Sequence, residues 1–226
     1  MTWTVRNRQP KRPSTGCNQH EYRRTLMSVY LRLDNVVIAY PHLFEKHAAP
    51  GSTTEKYSAE FILDPAKNKV AIDKVQAGVL KVAREAGKAD KIKTFKFPVL
   101  RSGDAENAER ERMDRSPRPE LAGKVFIRAG DPDFQPQIVD RNRQPIGESQ
   151  RAQIFGGCVV NAFIDLYYSA GGANPGVFVG LKGVQLVDNV NVEKLGGGAP
   201  SAEDMFDVVE GPAPLVGEAA GEPGWM

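Results

Sequence analysis

The feature that most restricts the fold is an alternation of side chains in three segments of the second half of the chain. In residues 124–129, 157–168 and 177–187, apolar side chains occupy alternate positions. Neighbouring side chains of a β-strand point to opposite faces, so this period of two predicts strands with one apolar face turned towards a core. We therefore expect a mainly β domain.

Shorter segments of the first half extend this sheet. Residues 29–33 and 36–40 have strand composition, and the second of these is expected to end at Pro41 because proline cannot donate to a sheet ladder. Residues 57–63 alternate in the same way as the later strands.

One helix is predicted, over residues 65–87. Asp64 supplies an N-cap and Pro65 suits the first helical position, and apolar residues then recur at helical spacing until Gly87. The recurring residues are Val75, Val79, Val82 and Ala86. We interpret this stripe as the side of the helix that packs on the core.

Residues 102–123 are dense in charge and contain almost no apolar side chains. They are predicted to form a long exposed loop. Loops of this length in a compact domain are often functional, so the segment either closes over a ligand, reaches a second subunit or is a solvated insertion.

Charge divides the chain into three parts. Residues 1–26 carry six basic residues and one acidic residue, whereas residues 195–226 carry six acidic residues and no basic one. The body, residues 27–194, is mildly basic and is predicted to be a single domain. The tail is rich in Gly, Pro and Ala and is expected to be disordered. A basic arm, a basic body and an acidic tail favour a polyanion as the partner.

Two interpretations of residues 1–26 remain open. The arm is either a flexible extension that binds nucleic acid, or a segment that is not native because translation starts at Met27.

Few residues suggest catalysis or metal binding. Cys17 and Cys158 are too far apart for a metal-ligand motif or a disulfide framework, and His20, His42 and His47 lack the spacing of a metal-binding helix. No apolar run is long enough to cross a membrane. We expect a cytoplasmic protein without cofactor, metal or enzymatic activity.

The polar faces of the three alternating strands repeat one mixture of aromatic and basic residues. They carry Lys124, Phe126 and Arg128 in the first strand, Phe163 and Tyr167 in the second, and Phe178 and Lys182 in the third. Flat rings between cations suit single-stranded nucleic acid, because unstacked bases lie on the rings while the cations neutralise phosphates. Burial in the core or in a dimer interface is the alternative for each ring.

Two further basic segments are candidate walls of a binding groove. One contributes Lys93, Lys96 and Arg101, and the other contributes Arg141 and Arg143 in a predicted turn. Either segment is equally consistent with a charged edge that protects a strand from aggregation.

Several segments, in this order and spacing, resemble a bacteriophage family of single-stranded-DNA-binding proteins. They are VIAYPHLFE at 37–45, KYSAEFIL at 56–63, PQIVD at 136–140, GGCVVNA at 156–162, GLKGVQLV at 180–187 and SAEDMF at 201–206. The resemblance covers most of residues 35–207.

This resemblance implies an OB fold, a five-stranded Greek-key barrel, with roles in phage replication and recombination in the host cytoplasm. It also implies a homodimer and an acidic tail, ending in an aromatic residue, that competes with DNA and binds replication proteins. Trp225 takes that place here, although Met226 follows it. The tail residues expected to bind partners are Glu203, Asp204, Asp207, Glu210 and Trp225.

Two other functions are weighed against this one. A virion or assembly protein would oligomerise through its β body and dock through its tail. A nuclease or deoxynucleotide-handling enzyme would hold metal with Asp104, Asp131, Asp133 and Asp140, but Asp131-Pro132-Asp133 has the composition of a turn.

Overall fold

The computed structural model describes residues 28–49, 51–171 and 174–195. In this part of the chain, seven strands form one sheet: β1 Ser28–Ala48, β2 Glu55–Leu63, β3 Arg101–Ser102, β4 Val125–Asp131, β5 Gln137–Val139, β6 Val159–Ser169 and β7 Gly176–Asp188. The α-helices are α1 Lys69–Glu85 and α2 Gly103–Arg112, and 3-10 helices span Ala89–Thr94, Pro119–Leu121 and Glu148–Gln153. The mainly β prediction is confirmed, but the prediction of a single helix is wrong.

The strands lie in the order β3–β4–β2–β1–β6–β7–β5. Neighbours are antiparallel except β5 and β7, which are parallel. The sheet curls until β4 and β7 approach each other, and Lys182 Nζ on β7 lies 2.8 Å from Asp131 Oδ2 on β4. The five strands from β4 to β7 therefore enclose a core.

Strand β1 is long because it serves two partners. Its first half pairs with β6 and its second half with β2. Asn35 and Tyr40 have left-handed backbone conformations, φ 52° and 47°, beside the register shifts at which the strand bends. The predicted end at Pro41 is wrong, because Pro41 lies within the bulge between Ala39 and His42, where a missing N–H is tolerated.

The apolar faces predicted from the alternation form the core. Five inward positions of the second alternating segment are fully buried: Cys158, Val160, Ala162, Ile164 and Leu166. Helix α1 packs on this core through Val75 and Val82. Gly78 permits the close approach, since a Cβ there would lie 2.8 Å from Leu166 Cδ1.

Helix α1 begins at Lys69, four residues later than predicted. Residues 64–68 form a turn instead: the Asp64 carboxylate accepts a hydrogen bond from the Ala66 N–H at 2.8 Å, and the Asn68 side chain accepts one from the Asp64 N–H at 3.0 Å. These side-chain bonds compete with helical bonds at this end.

The prediction that residues 102–123 form a long loop is wrong. Helix α2 lies within them, and its N-terminus is capped by Ser102 Oγ, which accepts from the Ala105 N–H at 3.3 Å. Ion pairs and two anchors attach the segment to the sheet: Arg118 is 5% exposed and Leu121 is fully buried. The helix lacks an apolar stripe, so its periodicity gave no signal.

Candidate functional site

The outer face of β2, β3 and β4 brings three cations together: Lys56, Arg101 and Arg128. Burial lowers the pKa of Lys56, and the neighbouring charges of Arg128 and Arg101 lower it further. The pKa of Arg101 is also lowered, first by burial and then by Arg128, against opposing effects of Glu106 and Glu60. Because these cations repel one another, a bound anion is favoured here.

Phe97 adds an exposed aromatic ring to these cations. Its side chain is 41% exposed. Lys96 Nζ lies 5.4 Å from the ring centroid and Arg101 Cζ lies 5.7 Å from it. We call Lys56, Lys96, Phe97, Arg101 and Arg128 the cationic patch.

The carboxylates near this patch are held mainly by two arginines. Glu60 Oε1 lies 2.5 Å from Arg128 Nε and Glu60 Oε2 lies 2.6 Å from Arg118 Nη1, while Glu106 Oε1 lies 3.1 Å from Arg128 Nη2. Burial opposes the charge of Arg128, but these carboxylates raise its pKa overall. In the described part of the chain, Lys56 and Arg101 form no ion pair.

A second surface lies on the outer face of β1, β6 and β7 and carries four aromatic residues. The rings of Tyr30 and Phe163 stack with centroids 5.8 Å apart and planes 8° apart, and those of Tyr167 and Phe178 stack at 6.1 Å and 28°. Tyr30 is 50% exposed and Phe163 is 44% exposed. We call these four residues the aromatic face. Phe163, Tyr167 and Phe178 were selected from the sequence, whereas Tyr30 was not.

The cations beside the aromatic face are balanced by carboxylates. Lys182 bonds to Asp131, which is fully buried, and lies 3.9 Å from Asp165 Oδ1. Arg32 Nε lies 2.5 Å from Asp34 Oδ1. This face therefore offers rings but few cations available to a phosphate.

Phe126 corrects the sequence-based site. It was selected for base stacking, but its side chain is fully buried with Ala39, Ile62 and Leu121. The alternation placed it correctly on the side of β4 opposite the main core. Residues 119–121 cover that side, so the ring does not reach solvent.

The other selected cations occupy separate places. Lys93 is exposed in the 3-10 helix Ala89–Thr94, and Lys124 is partly buried just before β4. Arg141 Nη2 lies 3.4 Å from Asp188 Oδ1, and Arg143 is exposed in the turn after β5 with φ 64°. Arg141 and Arg143 follow β5, which pairs with β7, whereas the cationic patch lies on and beside β2, β3 and β4, so they belong to a different part of the sheet.

Some predictions lie outside the described residues. These concern the arm, residues 1–26, and the tail residues Glu203, Asp204, Asp207, Glu210 and Trp225. Both stay predictions.

Three of the four aspartates weighed as metal ligands accept hydrogen bonds from backbone N–H groups. Asp104 accepts from the Gly123 N–H, Asp131 accepts from the N–H groups of residues 133 and 134, and Asp140 accepts from those of residues 142 and 144. Among the residues that the structure describes, no group of three potential metal ligands occurs. In the same residues, no helix is long and apolar enough to span a membrane.

A curled β domain whose surface offers exposed rings and closely spaced cations is typical of proteins that bind polyanions. The chain belongs to the family described as Enterobacter phage Enc34, ssDNA-binding protein, which matches residues 29–215. This match confirms the resemblance seen in the sequence.

Individual similar proteins and structures support this family assignment. Protein p50 of Acyrthosiphon pisum secondary endosymbiont phage 1 is 29% identical over 187 residues, covering 79% of this chain and 93% of that protein. Among solved structures, the single-stranded DNA-binding protein from bacteriophage Enc34 in complex with ssDNA matches with a TM-score of 0.56 and 18% identity, covering 74% of this chain and 89% of that chain.

A further structure of the single-stranded DNA-binding protein from bacteriophage Enc34 matches with a TM-score of 0.54 and 20% identity, covering 79% of this chain and 90% of that chain. These structural matches support the fold. The family and its solved members are described as DNA-binding proteins rather than enzymes, in agreement with the prediction that the chain is not an enzyme.

Proposed function

We propose that this protein binds single-stranded DNA without catalysis, as a phage protein that coats exposed strands during replication and recombination in the host cytoplasm. The observation that carries the proposal is the cationic patch. Burial and the nearby charge of Arg128 lower the pKa of both Lys56 and Arg101. Neither forms an ion pair in the described residues, and an exposed phenylalanine lies beside them. The description of the family supports the choice of ligand.

We also propose that the strands β4–β2–β1–β6–β7 form an OB barrel. In this order β1 pairs with both β2 and β6, and the ends of the series, β4 and β7, approach each other. OB folds bind oligonucleotides on the face of their second and third strands. Those strands correspond here to β2 and β4, whose outer face carries Lys56 and Arg128.

The patch suits single strands better than duplex. In a duplex the bases are paired and stacked on one another, so Phe97 has no base face to contact. In a single strand, a base lies on Phe97 while Lys96 and Arg101, each within 6 Å of its ring centroid, neutralise the adjacent phosphates. The aromatic face stays a predicted second stacking surface, and in a homodimer it is the alternative contact between copies.

We expect oligo-dT to bind at least about tenfold more tightly than a duplex of the same length, because stacking contributes about 1–3 kcal/mol per base and a duplex offers none. Fluorescence anisotropy with both labelled probes, at several salt concentrations, measures this difference. Affinity for oligo-dT should fall with salt by about 0.7 logarithmic units per tenfold change for each phosphate contacted.

The same titrations can contradict the proposal that the protein binds single-stranded DNA. Equal affinity for the two probes, or binding that does not change with salt, would overturn the proposal. Large assemblies in sedimentation without DNA, combined with no preference for single strands, would instead favour the assembly protein considered from the sequence.

We further propose that the acidic tail competes with DNA and recruits replication or recombination proteins. A chain ending at Gly196 keeps the bond from the Leu195 N–H to the Gly156 carbonyl, 2.7 Å long, and lacks all six tail acids. We expect this truncation to tighten oligo-dT binding about fivefold or more at low salt, because a tethered competitor acts at an effective concentration near the millimolar range. Anisotropy compares the two chains.

A full-length variant with the six tail acids changed to Gln or Asn separates charge from length. It should bind as tightly as the truncated chain. Weaker or unchanged binding of both variants would contradict autoinhibition by the tail.

A further inference from the structure

A basic cleft of about 480 Å³ lies beside the 3-10 helix Ala89–Thr94 and residues 170, 174 and 175. Its lining includes Lys88, Lys91 and Lys96 and the rings of Phe95 and Tyr168. Clefts of about 300–1,000 Å³ are the size that holds small ligands. We call this site the lysine cleft.

The 3-10 helix explains why Lys88, at its N-cap, and Lys91 share one face. Such a helix has three residues per turn, so side chains three positions apart share a face. Lys88, Lys91 and Thr94 form the face that lines the cleft. Ile92 and Phe95 belong to the face that packs on the core, whereas Lys93 does not line the cleft.

The cleft is positively charged. Among the described residues, its lining includes three lysines and no carboxylate. Within the described part of the chain, none of these three lysines forms an ion pair. A ligand that brings negative charge therefore meets no competing acid among the described residues that line the cleft.

Aromatic rings form the other wall. The centroids of Phe95 and Tyr168 are 6.3 Å apart and their planes are inclined by 43°. Both residues pack against the main core, which fixes their rings. A rigid aromatic wall opposite cations fits a ligand with both a flat ring and a phosphate.

We propose that the lysine cleft binds one nucleotide unit of a single strand, with the phosphate at Lys88, Lys91 and Lys96 and the base against Tyr168. The inference rests on the proposed function and extends it. Lys96 lies both in the cleft and beside Phe97 of the cationic patch, so it connects the two sites. A strand bound to the patch continues past Lys96 into the cleft.

The test compares two double substitutions in the full-length protein, one inside the cleft and one outside it. Lys88→Gln/Lys91→Gln should weaken oligo-dT binding about tenfold and reduce the salt slope by about 0.7, the value for one phosphate. Lys74→Gln/Lys81→Gln removes the same charge from exposed positions of α1, outside the cleft, and should change neither. Circular dichroism melts establish that both variants fold.

The outcomes separate this inference from the proposed function. If the wild-type protein fails to bind oligo-dT, the proposed function is overturned. If it binds, but both double variants have the same affinity and salt slope, only the cleft is overturned. A further experiment measures the binding of thymidine 5′-monophosphate alone. If wild type binds it with a submillimolar Kd, and the cleft variant loses this binding but still binds oligo-dT as wild type does, the cleft holds a free nucleotide. That outcome would overturn its role in binding the strand.

Discussion

Replacing Lys182 with methionine is expected to lower the free energy of unfolding by about 3 kcal/mol. Lys182 Nζ lies 2.8 Å from Asp131 Oδ2 and 3.9 Å from Asp165 Oδ1, and both aspartates are buried. Removing one partner of a buried ion pair typically costs about 3–5 kcal/mol. The lower end applies because Lys182 is itself 29% exposed and Asp131 also accepts two backbone hydrogen bonds. Urea unfolding followed by circular dichroism measures the loss.

Two variants provide the controls. Lys81→Met makes the same change at an exposed position of α1 and should leave stability within about 0.5 kcal/mol. Adding Asp131→Asn to Lys182→Met removes one of the buried charges and should restore part of the loss. Equal stability of Lys182→Met and Lys81→Met would show that the buried pair contributes nothing.

The effect should also depend on pH. Burial alone would raise the pKa of Asp131, but hydrogen bonds from Lys182 and from two backbone N–H groups lower it below its ordinary value of 3.8. A carboxylate with a lowered pKa stabilises the fold above that value and loses its contribution as pH falls through the folded pKa. The difference in the free energy of unfolding between wild type and Lys182→Met should therefore become smaller below about pH 4.

The sequence predicted the core well because period-two patterns report directly on burial. The inward positions from Cys158 to Leu166 and the stripe of Val75 and Val82 pack as expected. Helix α2 escaped prediction because ion pairs and the single apolar anchor Leu121 attach it, and neither creates a periodic pattern. The same anchor explains Phe126: the ring is covered by a residue from outside its own strand.

The candidate site was only partly predictable for a related reason. Lys96, Arg101 and Arg128 were selected from the sequence, but Lys56 carried no local signal. It joins them because β2 pairs with β4 and β4 pairs with β3, which are long-range events. Conversely, Lys182 was selected from the sequence as a cation that binds DNA, and only the folded structure reveals its buried partner Asp131.

Phe97→Ala is expected to weaken oligo-dT binding by about 1–3 kcal/mol, or about 5- to 150-fold, and by more than Phe163→Ala does. Phe97 is the exposed ring between Lys96 and Arg101. Phe163→Ala removes a ring of similar exposure from the aromatic face, where Lys182 and Arg32 are already paired with carboxylates. We expect the smaller loss there, because a stacked base also requires a cation for its phosphate.

Two control variants distinguish base stacking from other consequences of losing a phenylalanine. Phe134→Ala removes a ring that is 60% exposed and belongs to neither surface, so it should leave affinity unchanged. Phe97→Tyr keeps a flat ring and should bind within about twofold of wild type, since stacking requires the ring face rather than its substituent. A greater loss for Phe163→Ala than for Phe97→Ala would place the strand across β6 and β7, as the alternation in the sequence predicts, and would remove Phe97 from the stacking site.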